Sequence, residues 1–272
     1  MTESKPTDIN QILHQLGVVG ERLAEIKAAE GAAGNLSVCL RAPLDVSAFF
    51  PQVEAMELPH HSPDLAGMML IVSGSGRRLR DIADAPLANL ACVVVEPGGR
   101  NGKLFTSPQR QFQRVTSEFN SHLGVHAERM RDGKVSLHAV LHAQPIYLTA
   151  LSHRAEFQDE KTLNRRLLRW QPETIANMPE GIGVLPFLMP GSAQLVVETK
   201  LALRTHQIVL WARHGVMARA DESILHALDL IEYAETAAHY ETLSLLTGSG
   251  EGLSPEEIRE ITGFWKIQQN IF

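Results

Sequence analysis

Apolar residues recur at helical spacing near the start of the chain and at strand spacing soon after. Over residues 7 to about 30, apolar side chains return every three or four positions, which predicts an amphipathic helix with Thr7 or Asp8 as its N-cap. Residues 36–40 alternate between apolar and polar or small side chains, which predicts a half-buried strand. Residues 42–65 are rich in Pro, His and Asp, so we expect a long irregular excursion there.

Strands and helices continue to mix along the chain without a strict βαβ rhythm. Further strands are predicted at residues 65–72, 90–95, 137–142, 208–212 and 216–218, and further helices at 119–131, after Pro145, at 193–206, at 221–246 and after Ser254. Residues 97–102 are predicted as a hairpin turn with Asn101-Gly102 as its strongest signal, and residues 179–191 as a loop. This order favours a layered α/β domain over a doubly wound one. No stretch has the composition of a linker, so residues 1–272 are predicted to form a single domain.

Composition excludes several classes of partner. The 272-residue chain has a net charge of -6, so it lacks the excess of basic residues typical of nucleic-acid-binding proteins. Its 44% apolar content is enough for a sizeable core. Cys39 and Cys92 lie in apolar runs and are predicted to be reduced core residues. No apolar run reaches the roughly 18 residues of a membrane span, and the first residues lack a signal-peptide pattern. We therefore expect a soluble, cytoplasmic protein.

Two histidines stand at predicted strand ends, where α/β proteins tend to place their chemistry. His142 closes the strand before Pro145, and His214 follows the strand at 208–212. Imidazole nitrogens of this kind can hold a divalent metal, although two ligands alone do not make a site. From the local sequence, an ordinary strand-end histidine is an equally good interpretation.

Three polar turns are candidates for holding a phosphate. They are Gly34-Asn35 before a strand, residues 73–76 after a strand, and residues 116–118 at a helix start. Free backbone N–H groups and hydroxyls in such turns can surround phosphate oxygens. An ordinary turn at 73–76, and an N-cap role for Thr116 or Ser117, remain open alternatives.

Three other histidines are predicted to play no part. His122 and His126 are spaced to share one helix face, but no third ligand accompanies them, so a solvated face is favoured. His138 lies four strand residues before His142, roughly 13 Å away at about 3.3 Å per residue. It is therefore predicted to be a packed or surface histidine.

Taken together, these motifs resemble the class II aldolase/adducin superfamily. The segments GNLSV, IVSGSGRRLR, TSEFNSH, LHAQP, EGIGVLPFLMPG and VLWARHGV occur in that family's order and spacing, over roughly residues 10 to 250. The loop at 179–191 and the excursion at 42–65 point to the rhamnulose-1-phosphate aldolase branch. The resemblance implies a three-layer α/β/α domain with a central, mainly antiparallel sheet. It also implies a homotetramer with active sites between subunits.

The resemblance further implies a reaction and its residues. The family cleaves a ketose 1-phosphate on a divalent metal, most often zinc, through a metal-stabilised enediolate rather than a Schiff base. By position, Glu118 matches the general acid/base that also contacts the metal, and His142 and His214 match metal ligands. Asn35, Ser75, Thr116 and Ser117 match residues that hold the substrate phosphate. The expected substrate is L-rhamnulose 1-phosphate or a similar phosphorylated sugar, cleaved to dihydroxyacetone phosphate and an aldehyde.

The sequence departs from the family pattern at two places. The strand-end His-x-His reads His142-Ala143-Gln144, and the Asn-Gly-Gly-Asn phosphate loop reads Ala-Ala-Gly-Asn at residues 32–35. Gln144 offers a neutral carbonyl oxygen, a harder and weaker metal ligand than imidazole. Two alternatives therefore remain open: another reaction on the same metal scaffold (epimerase, dehydratase or decarboxylase), and a non-catalytic relative like adducin.

Overall fold

The computed structural model describes residues 8–221 and 223–272, and within them nine strands form one sheet. The strands are β1 (Asn35–Leu40), β2 (Gln52–Glu57), β3 (Met69–Ser73), β4 (Leu90–Val95), β5 (Asn101–Thr106), β6 (Leu137–Ala143), β7 (Ile182–Leu185), β8 (Ile208–Trp211) and β9 (Gly215–Asp221). Their spatial order is β2-β5-β4-β3-β1-β6-β9-β8-β7, and every neighbouring pair is antiparallel except β7 with β8. The expected mainly antiparallel α/β architecture is confirmed.

Helices cover both faces of this sheet. They are α1 (Ile9–Glu25), α2 (Asp81–Asp84), α3 (Pro86–Asn89), α4 (Phe119–Met130), α5 (Ile146–Leu151), α6 (Glu160–Leu167), α7 (Pro172–Asn177), α8 (Ala193–Thr205), α9 (Ile224–Thr247) and α10 (Pro255–Trp265). On one face, Leu36 and Val38 of β1 join a core that includes residues of α1 and α9. On the other face, Cys39 packs in a cluster with Phe119 and Leu123 of α4. Among the described residues, no helix is both long and apolar enough to span a bilayer.

Burial of both sheet faces corrects one expectation about β1. All six of its residues are buried, whereas the alternating pattern predicts a half-buried strand. The polar or small side chains of β1, at Asn35, Ser37 and Cys39, point to the α4 face rather than to solvent, because α4 covers them. Polar residues on that face must therefore find hydrogen-bond partners inside the protein.

Several element boundaries also differ from those predicted. The excursion at 42–65 contains the exposed edge strand β2 and a short 3₁₀ helix at Pro63–Leu65, so β3 begins only at Met69. The hairpin turn is made by Gly98 and Gly99, which have φ of +90° and +66°, whereas Asn101-Gly102 begins β5. The loop at 179–191 contains β7, and α6 and α7 have no counterpart among the predicted helices.

The ends of four central strands, β1, β3, β6 and β9, lie together on one side of the sheet. Asn35 at the start of β1 lies opposite His142 near the end of β6, and His142 lies opposite Met217 of β9. The end of β3 reaches the same side, where Gly74 bridges to Val115 just before α4. The turn before β9, the end of β6 and the approach to α4 therefore converge, and the polar residues of these segments meet there.

Candidate active site

Glu118, His142 and His214 converge on this side of the sheet. Glu118 precedes the first residue of α4, His142 lies near the end of β6, and His214 lies in the turn between β8 and β9. One ligand atom from each residue lies within 4.8 Å of the others. The Glu118 oxygens are 3.6 Å from His142 Nε2 and 3.7 Å from His214 Nε2. The structure thus joins three residues that are up to 96 positions apart in the chain.

The backbone selects the tautomer of His142. Its Nδ1 lies 2.8 Å from the carbonyl oxygen of Val216, and a carbonyl only accepts, so Nδ1 carries the proton and donates it. The lone pair is consequently on Nε2, which faces Glu118. A histidine held in this way by a backbone carbonyl is oriented as a metal ligand usually is.

His214 is brought into place by an unusual turn. Arg213, the residue before it, has a φ of +64°, and its N–H donates to Ser152 Oγ at 2.7 Å. Gly215 follows because a Cβ there would lie 2.4 Å from the carbonyl oxygen of Ala143. Arg213 was missed as a functional candidate, because nothing in the sequence indicates a left-handed conformation for an arginine.

Trp211 forms an aromatic wall behind both histidines. Its ring centroid is 4.8 Å from that of His142 and 5.1 Å from that of His214. Burial and the neighbouring His142 lower the pKa of His214, although Glu118 acts in the opposite direction. His214 is therefore neutral at pH 7, the form that binds a metal. Its Nδ1 is buried without a hydrogen-bond partner among the described residues.

Glu118 is a buried carboxylate kept ionised by its neighbours. Burial raises the pKa of its carboxyl, but His142, the Asn35 amide and His214 outweigh that effect, so the pKa lies below its ordinary value. Asn35 Nδ2 donates to Glu118 Oε2 at 2.8 Å. The site therefore combines one anionic oxygen ligand with two imidazoles.

This donor set fits a divalent metal ion. A tetrahedral ion with ligands at 2.0–2.1 Å needs ligand atoms about 3.4 Å from one another. Glu118 Oε2 lies 3.6 Å from His142 Nε2 and Glu118 Oε1 lies 3.7 Å from His214 Nε2, close to that value and too long for hydrogen bonds, and the set as a whole lies within 4.8 Å. A lone pair on His142 Nε2 and an ionised Glu118 are the forms that a borderline ion such as Zn²⁺ prefers.

The predicted phosphate-binding segments adjoin this trio. Ser75 N–H donates to the Arg114 carbonyl at 2.9 Å, and Thr116 N–H donates to the Ser73 carbonyl at 2.9 Å, so the two turns are joined by backbone bonds. Thr116 is buried and Ser117 is exposed. The phosphate roles of Asn35, Ser75, Thr116 and Ser117 remain predictions, and the Asn35 side chain already has partners.

Gln144 lies on the same side of the β6 end as His142. A Cβ placed on Gly215 would be 3.1 Å from Gln144 Cγ and 3.2 Å from His142 Cε1. The two side chains therefore flank the same space beside Gly215. Gln144 is half-buried, and its N–H donates to the Ala28 carbonyl. Its role as a metal ligand stays a prediction.

The solvated face predicted for His122 and His126 is wrong. Both rings are completely buried against the sheet, and His138 is buried beside them. The sequence contained a signal for this burial. His122 and His126 follow Glu118 at successive intervals of four, so all three lie on the same face of the helix. Since Glu118 belongs to the site, that side had to face inward.

Comparisons with known proteins point to one family. The family model described as the class II aldolase and adducin N-terminal domain matches residues 14–242. A rhamnulose-1-phosphate aldolase of Bacteroides thetaiotaomicron is 27% identical over 237 residues, which are 86% of each chain. The protein of the same name from Escherichia coli O157:H7 is 30% identical over 190 residues, covering 70% of this chain and 68% of that one.

Solved structures show the same fold. A sugar-phosphate aldolase from Thermotoga maritima superposes with a TM-score of 0.75 at 27% identity, covering 89% of this chain and 98% of that one. An L-fuculose 1-phosphate aldolase superposes with a TM-score of 0.59 at 20% identity, covering 95% and 98%.

Proposed function

Because the chain belongs to the class II aldolase and adducin family, we propose that it is a metal-dependent aldehyde-lyase. Its substrate would be L-rhamnulose 1-phosphate or a similar ketose 1-phosphate, cleaved to dihydroxyacetone phosphate and an aldehyde. The observation that carries the proposal is the convergence of Glu118, His142 and His214 within 4.8 Å. A protein that served only as a scaffold would have no physical need for this trio. The names of the relatives supply the substrate class.

The three residues would share the work in the following way. A divalent ion held by His142, His214 and Glu118 would polarise the oxygens of the substrate and stabilise the negative charge that develops on them. Glu118, ionised and aimed into the site, can take a proton from a substrate hydroxyl as the carbon–carbon bond breaks. Trp211 shields one side of the two imidazoles from water. Ser75, Thr116 and Ser117 would hold the phosphate at the joined turns.

We extend the proposal to the organisation of the protein. Residues 1–272 would form a single domain that assembles as a cytoplasmic homotetramer. The exposed apolar side chains of Leu246, Phe264 and Trp265 are consistent with an oligomer, because burying them in an interface would remove apolar surface from water. Sedimentation analysis tests this assembly directly.

Two alternatives use particular features of this chain. A different reaction on the same scaffold is favoured by the departures at Gln144 and at residues 32–33, since both lie in segments expected to contact metal or phosphate. A non-catalytic relative is favoured by Gln144 and Ala32 and is opposed by the retained trio. The alternatives differ in what the purified protein does to phosphorylated sugars.

The first test is a cleavage assay with the purified protein. We expect bound zinc or another divalent ion by elemental analysis, and release of dihydroxyacetone phosphate from L-rhamnulose 1-phosphate in a coupled assay. Treatment with a chelator should abolish the release, and added Zn²⁺ should restore it, because the ion carries the developing charge. A protein with metal that converts ketose phosphates to other products would favour the alternative reaction. A protein with neither metal nor turnover would favour the non-catalytic relative.

Restoring the family histidine tests the role of Gln144. We expect Gln144→His to raise the affinity for Zn²⁺ at least about tenfold, or ~1.4 kcal/mol, because imidazole replaces an amide oxygen beside His142. Isothermal titration of the metal-free protein measures the change. The matched control is Gln52→His on the edge strand β2, which adds an imidazole five strands from β6. Equal affinity in both variants would place Gln144 outside the metal shell.

A further inference from the structure

A continuous chain of buried hydrogen bonds runs from Glu118 into the space between α4 and the sheet. Asn35 links Glu118 to His122, with His122 Nε2 lying 2.5 Å from Asn35 Oδ1. Ser37 Oγ lies 2.6 Å from His122 Nδ1 and 2.7 Å from His126 Nε2. The last link joins His126 Nδ1 to His138 Nδ1 at 2.8 Å. All of these side chains are buried, and none except Glu118 and Asn35 belongs to the predicted site.

The direction of the first links follows from Glu118. The Asn35 atom beside Glu118 is its amide nitrogen, which donates to Glu118 Oε2 at 2.8 Å. The amide oxygen of Asn35 then faces His122 and can only accept, so His122 Nε2 carries a proton. Burial and the neighbouring His126 lower the pKa of His122 to about 3, so the ring is neutral and its Nδ1 is an acceptor.

The direction of the remaining links follows in the same way. Ser37 has one hydroxyl proton and must give it to His122 Nδ1, so it accepts from His126 Nε2. His126 is neutral because burial and His138 lower its pKa, and its Nδ1 therefore accepts from His138 Nδ1. Burial also lowers the pKa of His138, so its Nε2 has no proton, and it has no partner among the described residues. One assignment of protons satisfies all five links.

We propose that Ser37, His122, His126 and His138 are positioning residues that fix the amide of Asn35 and, through it, the carboxylate of Glu118. This inference rests on the proposed function, because it assigns these residues to the metal-binding glutamate. Every donor in the chain points toward Glu118, so the bond dipoles align and strengthen the Asn35 N–H as a donor. Without a proton on His122 Nε2, the Asn35 amide could turn over and present its oxygen to the carboxylate.

The chain explains why polar residues occupy this interface. The α4 face of the sheet is otherwise lined by an apolar cluster that includes Cys39, Phe119 and Leu123. Four buried polar side chains interrupt this lining and satisfy one another in sequence, and of their nitrogen and oxygen atoms only His138 Nε2 at the far end has no partner within the part of the chain that the structure describes. The Asn35 amide is thereby held in one orientation before substrate or metal arrives, which is the preorganisation that such sites need.

Nitrogen NMR of the metal-free protein tests the proton assignment. In protein labelled with ¹⁵N-histidine, we expect His122 and His126 as Nε2–H tautomers and His138 as the Nδ1–H tautomer, all neutral at pH 7. Resonances are assigned by correlating each ring with its own assigned backbone, without substitutions. The opposite tautomer at any of the three positions, or a charged ring, would overturn the proposal. This test needs no substituted protein for its main result, so it does not depend on the folding of a variant.

A matched pair of serine variants tests the positioning role. Ser37→Ala breaks the hydrogen-bond chain beyond Asn35 and His122. Ser121→Ala instead removes a buried hydroxyl that has no partner among the described residues. Loss of an outer partner typically weakens metal binding roughly 10–100-fold, and because Ser37 is more remote we expect about three- to tenfold. Titration with Co²⁺, followed by its visible absorption, measures the affinity. Ser121→Ala should match the unaltered protein.

The two failures can be told apart. Equal Co²⁺ affinity in Ser37→Ala and Ser121→Ala would overturn the positioning role, whatever the protein catalyses. Neither readout requires turnover, so a protein without lyase activity would contradict the proposed function while leaving the hydrogen-bond chain standing.

Discussion

Glu118→Gln is expected to lower kcat for aldol cleavage by about 10²–10⁴ while the protein stays folded. The amide has nearly the shape of the carboxylate but cannot take a proton, so general-base catalysis is lost. The substitution also removes the anionic ligand of the trio, and one face of the new amide carries N–H donors. Depending on how the amide is turned, its N–H group would face a ring nitrogen of His142 or His214, or the Asn35 Nδ2 donor. An N–H group in any of these places cannot act as a metal ligand. Metal affinity should therefore fall together with kcat.

The measurement separates these two losses. Initial rates at saturating Zn²⁺ report the loss of the base, and isothermal titration reports the loss of the ligand. Glu128→Gln on the same helix is the matched control, because Glu128 pairs with Arg204 on the protein surface, away from the trio. That variant should keep kcat within about twofold. A Glu118→Gln protein with kcat near that of the control would assign the proton transfer to another group.

Hydrophobic periodicity predicted the helices and strands that have one clear face. α1, α4, α8 and α9 lie close to their predicted positions because each buries an apolar stripe on the sheet. The pattern failed where tertiary contacts decide the conformation. β2 is an exposed edge strand paired with β5, and β7 is a four-residue strand in a segment broken by Gly and Pro. Neither segment carries a period of its own that would reveal a strand.

The candidate site was predictable only in part. His142 and His214 could be recognised as strand-end histidines, but their approach to Glu118 depends on the pairing of β6 with β1 and β9. Local sequence does not encode which strands become neighbours. The same limitation applies to Asn35, which reaches Glu118 because it lies opposite His142 in the sheet. The burial of His122 and His126 was encoded in their spacing from Glu118, but only a known inward direction for Glu118 gives that spacing its meaning.

We expect the metal-free protein to lose roughly 4 kcal/mol of unfolding free energy between pH 7.5 and pH 5.5, because His122, His126 and His138 are buried in the neutral form. Each folded-state pKa is depressed below the unfolded value of about 6.5. Below pH 6.5 the unfolded chain therefore binds protons that the folded chain does not. At one pH unit below the unfolded-state pKa, each such histidine lowers the free energy of unfolding by about 1.4 kcal/mol. The stability is fully present above pH 6.5 and is lost as the pH falls.

Urea unfolding at half-unit pH steps, with a chelator present, measures this loss. Glu118 does not interfere, because its lowered pKa places its titration below this window, whereas His214 and His60, whose pKa values are also lowered by burial, add to the loss. His138→Asn keeps a donor near the Nδ1 position and removes one titrating ring, so its loss over the same interval should be smaller by about 1.4 kcal/mol. His61→Asn removes an exposed imidazole as the matched control and should reproduce the unaltered curve. A flat profile between pH 7.5 and 5.5 would mean that the three rings take up protons inside the folded protein. A chain of neutral histidines, each with one assigned proton, could not then hold Asn35 in place.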